Sequence, residues 1–155
     1  MVPFEQVVNE HGDVVWRVCR ALLGPADADD AWQETFLAAL AAYPRLRPDS
    51  NVRGWLVTIA HRKALDRLRA SSRRALPTAE PPERSAAFES SSPDDELTAA
   101  LAGLAPKQRT AVVARYIADL SYADVADLLG TTEAAARRNA ADGIARLRER
   151  LVGRS

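Results

Sequence analysis

The spacing of the apolar residues restricts the fold of this chain more than any other feature. In almost every periodic segment they recur every three or four positions, which places them on one face of an α-helix. Alanine and leucine are abundant, and β-branched residues rarely alternate with polar ones as they do in strands. With 155 residues, 47% of them hydrophobic, the chain can form one ordinary domain or two small ones. The sequence therefore predicts an all-α protein.

A segment without helical period divides the chain. Residues 72–93, SRRALPTAEPPERSAAFESSSP, contain four prolines and many serines. Such a composition is typical of a flexible linker. We therefore expect two small helical domains, over residues 1–71 and 94–155, joined by this linker. The first domain is predicted to hold three helices, over about residues 3–23, 27–44 and 52–71.

The second domain carries a helix-turn-helix pattern. Ser121 and Asp124 match the capping box that begins a helix, and Gly130 is the type of residue that ends one. Thr131 or Thr132 then caps a long final helix. Two short helices joined through a glycine turn are typical of a DNA-binding helix-turn-helix, and packing hairpins in small helical domains show the same pattern. The pattern alone leaves both interpretations open.

Charge is balanced over the whole chain but unevenly distributed. The chain has 21 basic and 21 acidic residues, and this net charge of zero argues weakly against a nucleic-acid-binding protein. Residues 1–50 hold eight acidic residues against four arginines, whereas residues 51–74 hold seven basic residues against Asp66 alone. Either two different partners or two solvated surfaces would explain this division.

The sequence contains no recognisable site for catalysis, for a cofactor or for membrane insertion. It has no glycine-rich phosphate loop, no nucleophile paired with a base and no cluster of metal ligands, so we expect neither an enzyme nor a bound cofactor or metal. Cys19 lies among apolar neighbours at helical spacing and is expected to be a buried thiol. No apolar stretch reaches the roughly 18 residues of a membrane span, and the N-terminus lacks a signal-peptide pattern. We therefore expect a cytoplasmic protein without a membrane partner.

Three motifs, taken in order, resemble a known family. They are DADDAWQETF at 27–36, RGWLVTIAHRKALDRLR at 53–69, and KQRTAVVARY at 107–116 followed by LSYADVADLLG at 120–130. Together they resemble bacterial sigma factors of the extracytoplasmic-function (ECF) group, minimal sigma-70-family proteins that retain only conserved regions 2 and 4. The resemblance implies that residues 1–71 are region 2, that residues 94–155 are region 4, and that the chain directs RNA polymerase to promoters without covalent chemistry. The implied partners are the β′ clamp helices and β flap of the polymerase core, promoter DNA, and an anti-sigma factor as a further candidate.

By this resemblance, the acidic second helix packs on the β′ clamp helices. The matching positions are Asp27, Asp30, Gln33, Glu34 and Phe36. A spacing of three and four residues places the three carboxylates on one helical face, where they can attract a basic coiled coil. Without the resemblance, acidic residues at a helix start plus a solvated face would explain the same pattern.

The third helix and the loop before it match the segment that opens the minus-ten promoter element. Strand separation requires neutralised phosphates and a site that holds an unstacked base. Trp55 lies on the apolar stripe with Ile59, which favours a core position over a stacking platform. Ser50 or Asn51 is the candidate for a base contact, in a loop over residues 47–51. The full set of candidate minus-ten residues is Ser50, Asn51, Arg53, Arg62, Lys63, Arg67 and Arg69.

The final helix matches the family's minus-thirty-five reader incompletely. The segment NAADGI over 139–144 lacks the usual basic residues, Asp142 places a carboxylate near the DNA backbone, and Gly143 should weaken the helix by roughly 1 kcal/mol relative to alanine. One hypothesis is a reader with reduced DNA contacts. The alternative is a sigma-like adaptor with weak or no minus-thirty-five recognition, whose alanine-rich surface binds a protein partner. The positions that do fit the family pattern are Thr131, Thr132, Arg137, Arg138, Arg146 and Arg148.

Overall fold

The computed structural model of the protein describes residues 2–75 and 92–152, and this part of the chain forms helices and turns without a strand. The all-α prediction is confirmed. Most of the predicted linker, residues 76–91, lies outside the described residues. The helices are α1 (Phe4–Leu22), α2 (Pro25–Ala42, followed by a 3-10 turn at Tyr43–Arg45), α3 (Val52–Ala75), α4 (Pro93–Ala102), α5 (Pro106–Val112, continued by a π-helical turn at Val113–Ile117), α6 (Tyr122–Leu129) and α7 (Glu133–Val152).

Helix α3 is longer than the sequence pattern predicted. It continues through Ala75, four residues beyond the expected end at Ser71. The segment SSRRA at 71–75 contains neither glycine nor proline, so nothing in it forces the backbone out of the helix. The first four residues assigned to the linker are therefore helical.

Helices α1, α2 and α3 pack around a shared apolar core. Alanines dominate the buried faces of α2 and α3, among them Ala31, Ala39 and Ala60, and such small side chains let the helices approach closely. Cys19 of α1 is fully buried in this core, and burial raises the pKa of Cys19 to about 12. The thiol is therefore protonated at neutral pH, and the expectation of a buried structural cysteine is confirmed.

Capping in the second half follows the sequence pattern, with one difference. The Ser121 hydroxyl accepts a hydrogen bond from the backbone amide of Asp124 at 3.2 Å, and Gly130 ends α6 in the left-handed conformation with φ of 66°. Of the two candidate threonines, Thr132 caps α7, because its hydroxyl accepts from the backbone amide three residues later. The Asp124 carboxylate, which was expected to complete the capping box, instead accepts a hydrogen bond from Asn51 at 2.6 Å.

The two helical units are in direct contact, and Arg20 of α1 is central to this contact. Its guanidinium pairs with the carboxylate of Asp95 and donates to the Thr98 hydroxyl at 3.1 Å, both on α4. The hydrogen bond from Arg20, followed by the one from the backbone amide of Ser92, holds the pKa of Asp95 below its usual value. The same Asp95 completes a capping box with Ser92, so the start of α4 is tied to α1. No helix in the described part of the chain combines the length and apolarity needed to cross a membrane.

The final helix α7 packs on α5 through its small residues. Ala136, Ala140, Gly143 and Leu147 are buried, which accounts for much of the alanine-rich stretch. A methyl group at Gly143 would lie 2.5 Å from the Cγ2 atom of Val112 and 3.2 Å from a backbone carbonyl of α5. Gly143 is therefore required by the close approach of two helices, which the propensity argument in the sequence analysis did not foresee.

This packing predicts that Gly143→Ala destabilises the protein although alanine is the better helix former. Overpacking of a buried contact costs about 1–3 kcal/mol of stability. At the upper end of this range, the cost exceeds the gain of roughly 1 kcal/mol that alanine brings through its higher helix propensity. Thermal unfolding followed by circular dichroism tests this. The control is Asp142→Ala, at the exposed neighbouring position, which should leave the melting temperature unchanged or slightly raised. A melting temperature for Gly143→Ala above that of the unmodified protein would contradict the account.

Candidate functional site

The acidic face of α2 is paired with one arginine of α3. Arg67 approaches Glu34 at 2.6 Å, Asp27 at 3.5 Å and Asp30 at 3.6 Å, so the three carboxylates do share one face, as their spacing indicated. The hydrogen bond to Glu34 is the main cause that raises the pKa of Arg67, with further attraction from the other carboxylates. One arginine neutralises only part of three carboxylates, each of which keeps about half of its surface exposed. The face therefore retains negative charge for a partner.

Apolar residues extend this acidic face, and they differ from the one that the family pattern indicated. Phe36 is only 7% exposed and packs against Trp32, with ring centroids 4.7 Å apart, so it supports α2 from within the core. Leu37 and Leu40 are instead 68% and 52% exposed. Leu37 and Leu40 follow the exposed Gln33 at helical spacing, and the buried alanines of α2 lie on a different face of the helix. That register was the sequence signal that could have identified them.

Four of the seven residues proposed for minus-ten DNA lie at the boundary between the two helical units. Asn51 caps α3 by accepting from the backbone amide of Gly54 at 3.2 Å, and its side-chain amide donates to Asp124 of α6.

A cleft of about 370 Å³ adjoins this contact and is lined by Trp55 and Arg62. A second cleft of about 440 Å³ is lined by Ser50, Asn51 and Arg53 together with Asp119 and Asp124. Four of the seven candidates thus face acidic residues of the second unit.

The other three candidates of this set point elsewhere. Arg67 faces α2 and its carboxylates, and Arg69 lies 3.8 Å from Asp66 on the exposed side of α3. Lys63 is half-buried on the same helix. Trp55 is also half-buried, packs against the core near Tyr43, and lines the first cleft, so it is only partly the core residue that the apolar stripe indicated.

Helix α7 has one buried face and one basic exposed face. Arg137, Arg138, Arg146 and Arg148 are all exposed, while Ala140 and Gly143 between them are buried against α5 and Ala141 and Ala145 are exposed. Asp142 is exposed one turn after Arg138 and one turn before Arg146. Part of the small-residue surface that the adaptor hypothesis assigned to a protein partner is therefore used inside the domain, at Ala136, Ala140 and Gly143.

Comparison with known proteins gives the family of this chain. Residues 7–74 match the model of sigma-70 region 2, and residues 94–147 match that of sigma-70 region 4. The probable RNA polymerase sigma-C factor of Mycobacterium bovis is 34% identical over 148 residues, which cover 89% of this chain and 75% of that protein. The chain belongs to the ECF group of sigma-70-family sigma factors.

Other relatives agree with this assignment. The ECF sigma factor SigE of Mycolicibacterium smegmatis is 32% identical over the whole of this chain, which spans 64% of that protein's length. The structure of CnrH in complex with the cytosolic domain of CnrY superimposes with a TM-score of 0.77 at 27% identity, covering 98% of this chain and 89% of CnrH. The RpoE structure from Bartonella quintana, in complex with the anti-sigma factor NepR, has a TM-score of 0.78 at 22% identity and covers 96% of both chains. The region 2 match spans α1 to α3, and the region 4 match begins within α4 and ends within α7.

A half-buried histidine lies at the contact between the two regions of this sigma factor. His61 of α3 is hydrogen-bonded through Nε2 to the hydroxyl of Thr110 of α5 at 2.9 Å. Burial, followed by the positive charges of Arg109 and Arg62, holds the pKa of His61 below its ordinary value of 6.5. Burial, followed by the positive charge of Arg53, also lowers the pKa of His11, the other histidine of the chain. Within the described residues, no three His, Cys, Asp or Glu side chains are grouped so that they could hold a metal ion.

The depressed histidine pKa values predict that acid weakens the fold. The histidines of an unfolded chain take up protons as the pH falls through about 6.5, whereas those of the folded chain resist protonation. The folded state therefore keeps its full stability above this pH and loses stability below it. His61→Gln keeps a neutral hydrogen-bonding group beside Thr110 and should reduce the fall in melting temperature between pH 7.5 and pH 5.5. Combined with His11→Gln it should remove most of that fall. If the melting temperature of His61→Gln falls between pH 7.5 and pH 5.5 as far as that of the unmodified protein, His61 has no role in the acid sensitivity.

Proposed function

We propose that this sigma factor binds core RNA polymerase through α2 and directs it to promoters that it recognises through α3 with its preceding loop and through α7. The proposal includes no covalent step by the chain itself. The observation that carries it is the presence of region 2 and region 4 in one chain, each with a surface suited to its role. The two relatives described above are named RNA polymerase sigma factors, which supports the proposal.

The polymerase-binding surface in this proposal combines charge with apolar contact. Asp27, Asp30 and Glu34 supply negative charge beyond what Arg67 neutralises. Beside them, the exposed Leu37 and Leu40 supply apolar area that water would otherwise cover. An acidic patch next to exposed leucines fits a basic helical partner, since the charge guides association and the buried apolar area supplies affinity. The β′ clamp helices are the proposed partner, with Gln33 between the two parts of the surface and Phe36 supporting it from below. A contact of region 4 with the β flap is carried over from the family resemblance.

The minus-ten surface requires a change at the boundary between the regions. Asn51, the candidate for a base contact, donates its amide hydrogen to Asp124, and Arg53 and Arg62 line clefts that acidic residues share. Asn51 and Arg62 are exposed, but carboxylates of region 4 lie beside them and beside Arg53, and these carboxylates would repel the phosphates of a DNA strand. We therefore infer that recruitment by polymerase separates the two regions and releases Asn51.

The minus-thirty-five surface is the exposed side of α7. Four arginines on this side can contact phosphates or guanine, and Thr132 fixes the start of the helix. The burial of Ala136, Ala140 and Gly143 against α5 leaves less small-residue surface for the protein partner of the adaptor alternative, which supports the DNA-reading proposal. Regulation by a second protein is also proposed, since the relative CnrH was solved in complex with the cytosolic domain of CnrY.

A charge reversal on α2 tests the polymerase contact. Asp30 is exposed and is the most distant of the three carboxylates from Arg67, so Asp30→Lys should preserve the fold. A lysine there would repel a basic partner and should weaken binding to core polymerase at least about tenfold. The matched control is Asp13→Lys, the same charge change at an exposed position of α1, which should leave affinity unchanged. Fluorescence anisotropy with labelled sigma factor measures both, and equal affinities for the two variants would refute the proposed surface.

A further inference from the structure

An aromatic ring at the start of α6 holds two guanidinium groups. The ζ carbon of Arg137 lies 4.4 Å from the centroid of the Tyr122 ring, and that of Arg115 lies 4.6 Å from it. Both distances are within the range of cation–π attraction, which reaches to about 6 Å. Helix α6 thus contributes a platform on which an arginine of α7 rests.

The platform itself is fixed by its surroundings. Tyr122 is half-buried and is the first residue of α6, directly after the N-cap Ser121. Arg115 donates from Nη1 to the backbone carbonyl of Leu120 at 2.9 Å, which ties the second guanidinium to the turn before α6. The ring therefore has little freedom to move with the arginine.

Arg137 differs from the other basic residues of α7 in this contact. Arg138, Arg146 and Arg148 are exposed on the same helix, and within the described residues Arg137 is the one among these four that lies over an aromatic ring. A flexible arginine loses rotamer freedom when it binds, so a guanidinium that is already held in place binds at a lower entropic cost. Bidentate contact with guanine depends most strongly on such a fixed geometry.

We propose that Tyr122 is a positioning residue, which holds the guanidinium of Arg137 for contact with a base edge in the minus-thirty-five element. This inference rests on the proposed function of α7 as a DNA reader. It explains how a helix with no basic residue over 139–144 can still discriminate between sequences. One oriented arginine supplies the specificity, and the remaining arginines supply contacts with phosphates.

A double-mutant cycle in the holoenzyme tests this role. The probe is a duplex promoter obtained by selection with core polymerase and the full chain, and the measured quantity is the dissociation constant. Tyr122→Leu should weaken binding about two- to fivefold, the amount expected from the loss of one exposed cation–π contact, whereas Tyr122→Phe should bind as the unmodified protein does. Arg137→Ala should have a smaller effect in the Tyr122→Leu background than in the unmodified protein, because the two residues act together. Thermal unfolding of each variant verifies that the domain is folded.

Arg146→Ala is the matched control for the cycle. Arg146 lies on the same helix, away from the Tyr122 ring, so its removal should weaken binding by the same factor in both backgrounds. An equal effect of Arg137→Ala in both backgrounds, or a Tyr122→Phe variant as weak as Tyr122→Leu, would overturn the inference while leaving the proposed function intact. If scrambling the minus-thirty-five element does not change holoenzyme affinity, the proposed function of α7 fails and this inference fails with it.

Discussion

The close approach of α7 to α5 at Gly143 is the contact on which the architecture of region 4 depends. Because a methyl group at this position would collide with Val112, the two helices can reach this distance only with glycine between them. Ala136 and Ala140 continue the same buried face, and the arginines lie on the exposed side of the helix. The arrangement sets the direction of the exposed face of α7 relative to α6. It is also what brings Arg137 of one helix over the Tyr122 ring of the other.

Charged and polar groups that are proposed to bind polymerase or DNA, or that lie near them, are paired with one another in this structure. Arg67 joins the acidic face of α2, Arg20 joins α1 to α4, and Asn51 joins the start of α3 to Asp124. These contacts are mostly exposed or half-exposed, and solvent screens pairs of this kind, so each contributes little to stability. Their significance lies in what they cover. A partner with more charge and more contact area can displace them, which is how recruitment could expose the minus-ten surface at low cost.

The sequence allowed the helices and the family to be predicted but not the contacts that shape the surfaces. Helical periodicity and the caps at Ser121 and Gly130 are local patterns, and these predictions hold in the structure. The burial of Phe36 and the exposure of Leu37 depend on which side of α2 meets α1 and α3, which spacing along one helix indicates only weakly. The need for glycine at 143 depends on a residue 31 positions away, at Val112. The pairing of Asn51 with Asp124 joins positions from both regions, and no local pattern in the sequence predicts it. The roles assigned to individual polymerase-binding and DNA-binding residues stay predictions.

The central claim is that this chain directs core polymerase to promoters by reading two DNA elements. Run-off transcription with purified bacterial core polymerase, the full chain and a randomised promoter library tests it most directly. The account predicts transcripts that require the chain and that start downstream of templates sharing two conserved blocks, one near minus ten and one near minus thirty-five. Transcription no greater than that of core polymerase alone, although the chain binds the core, would contradict the claim and favour an adaptor that occupies polymerase without selecting promoters.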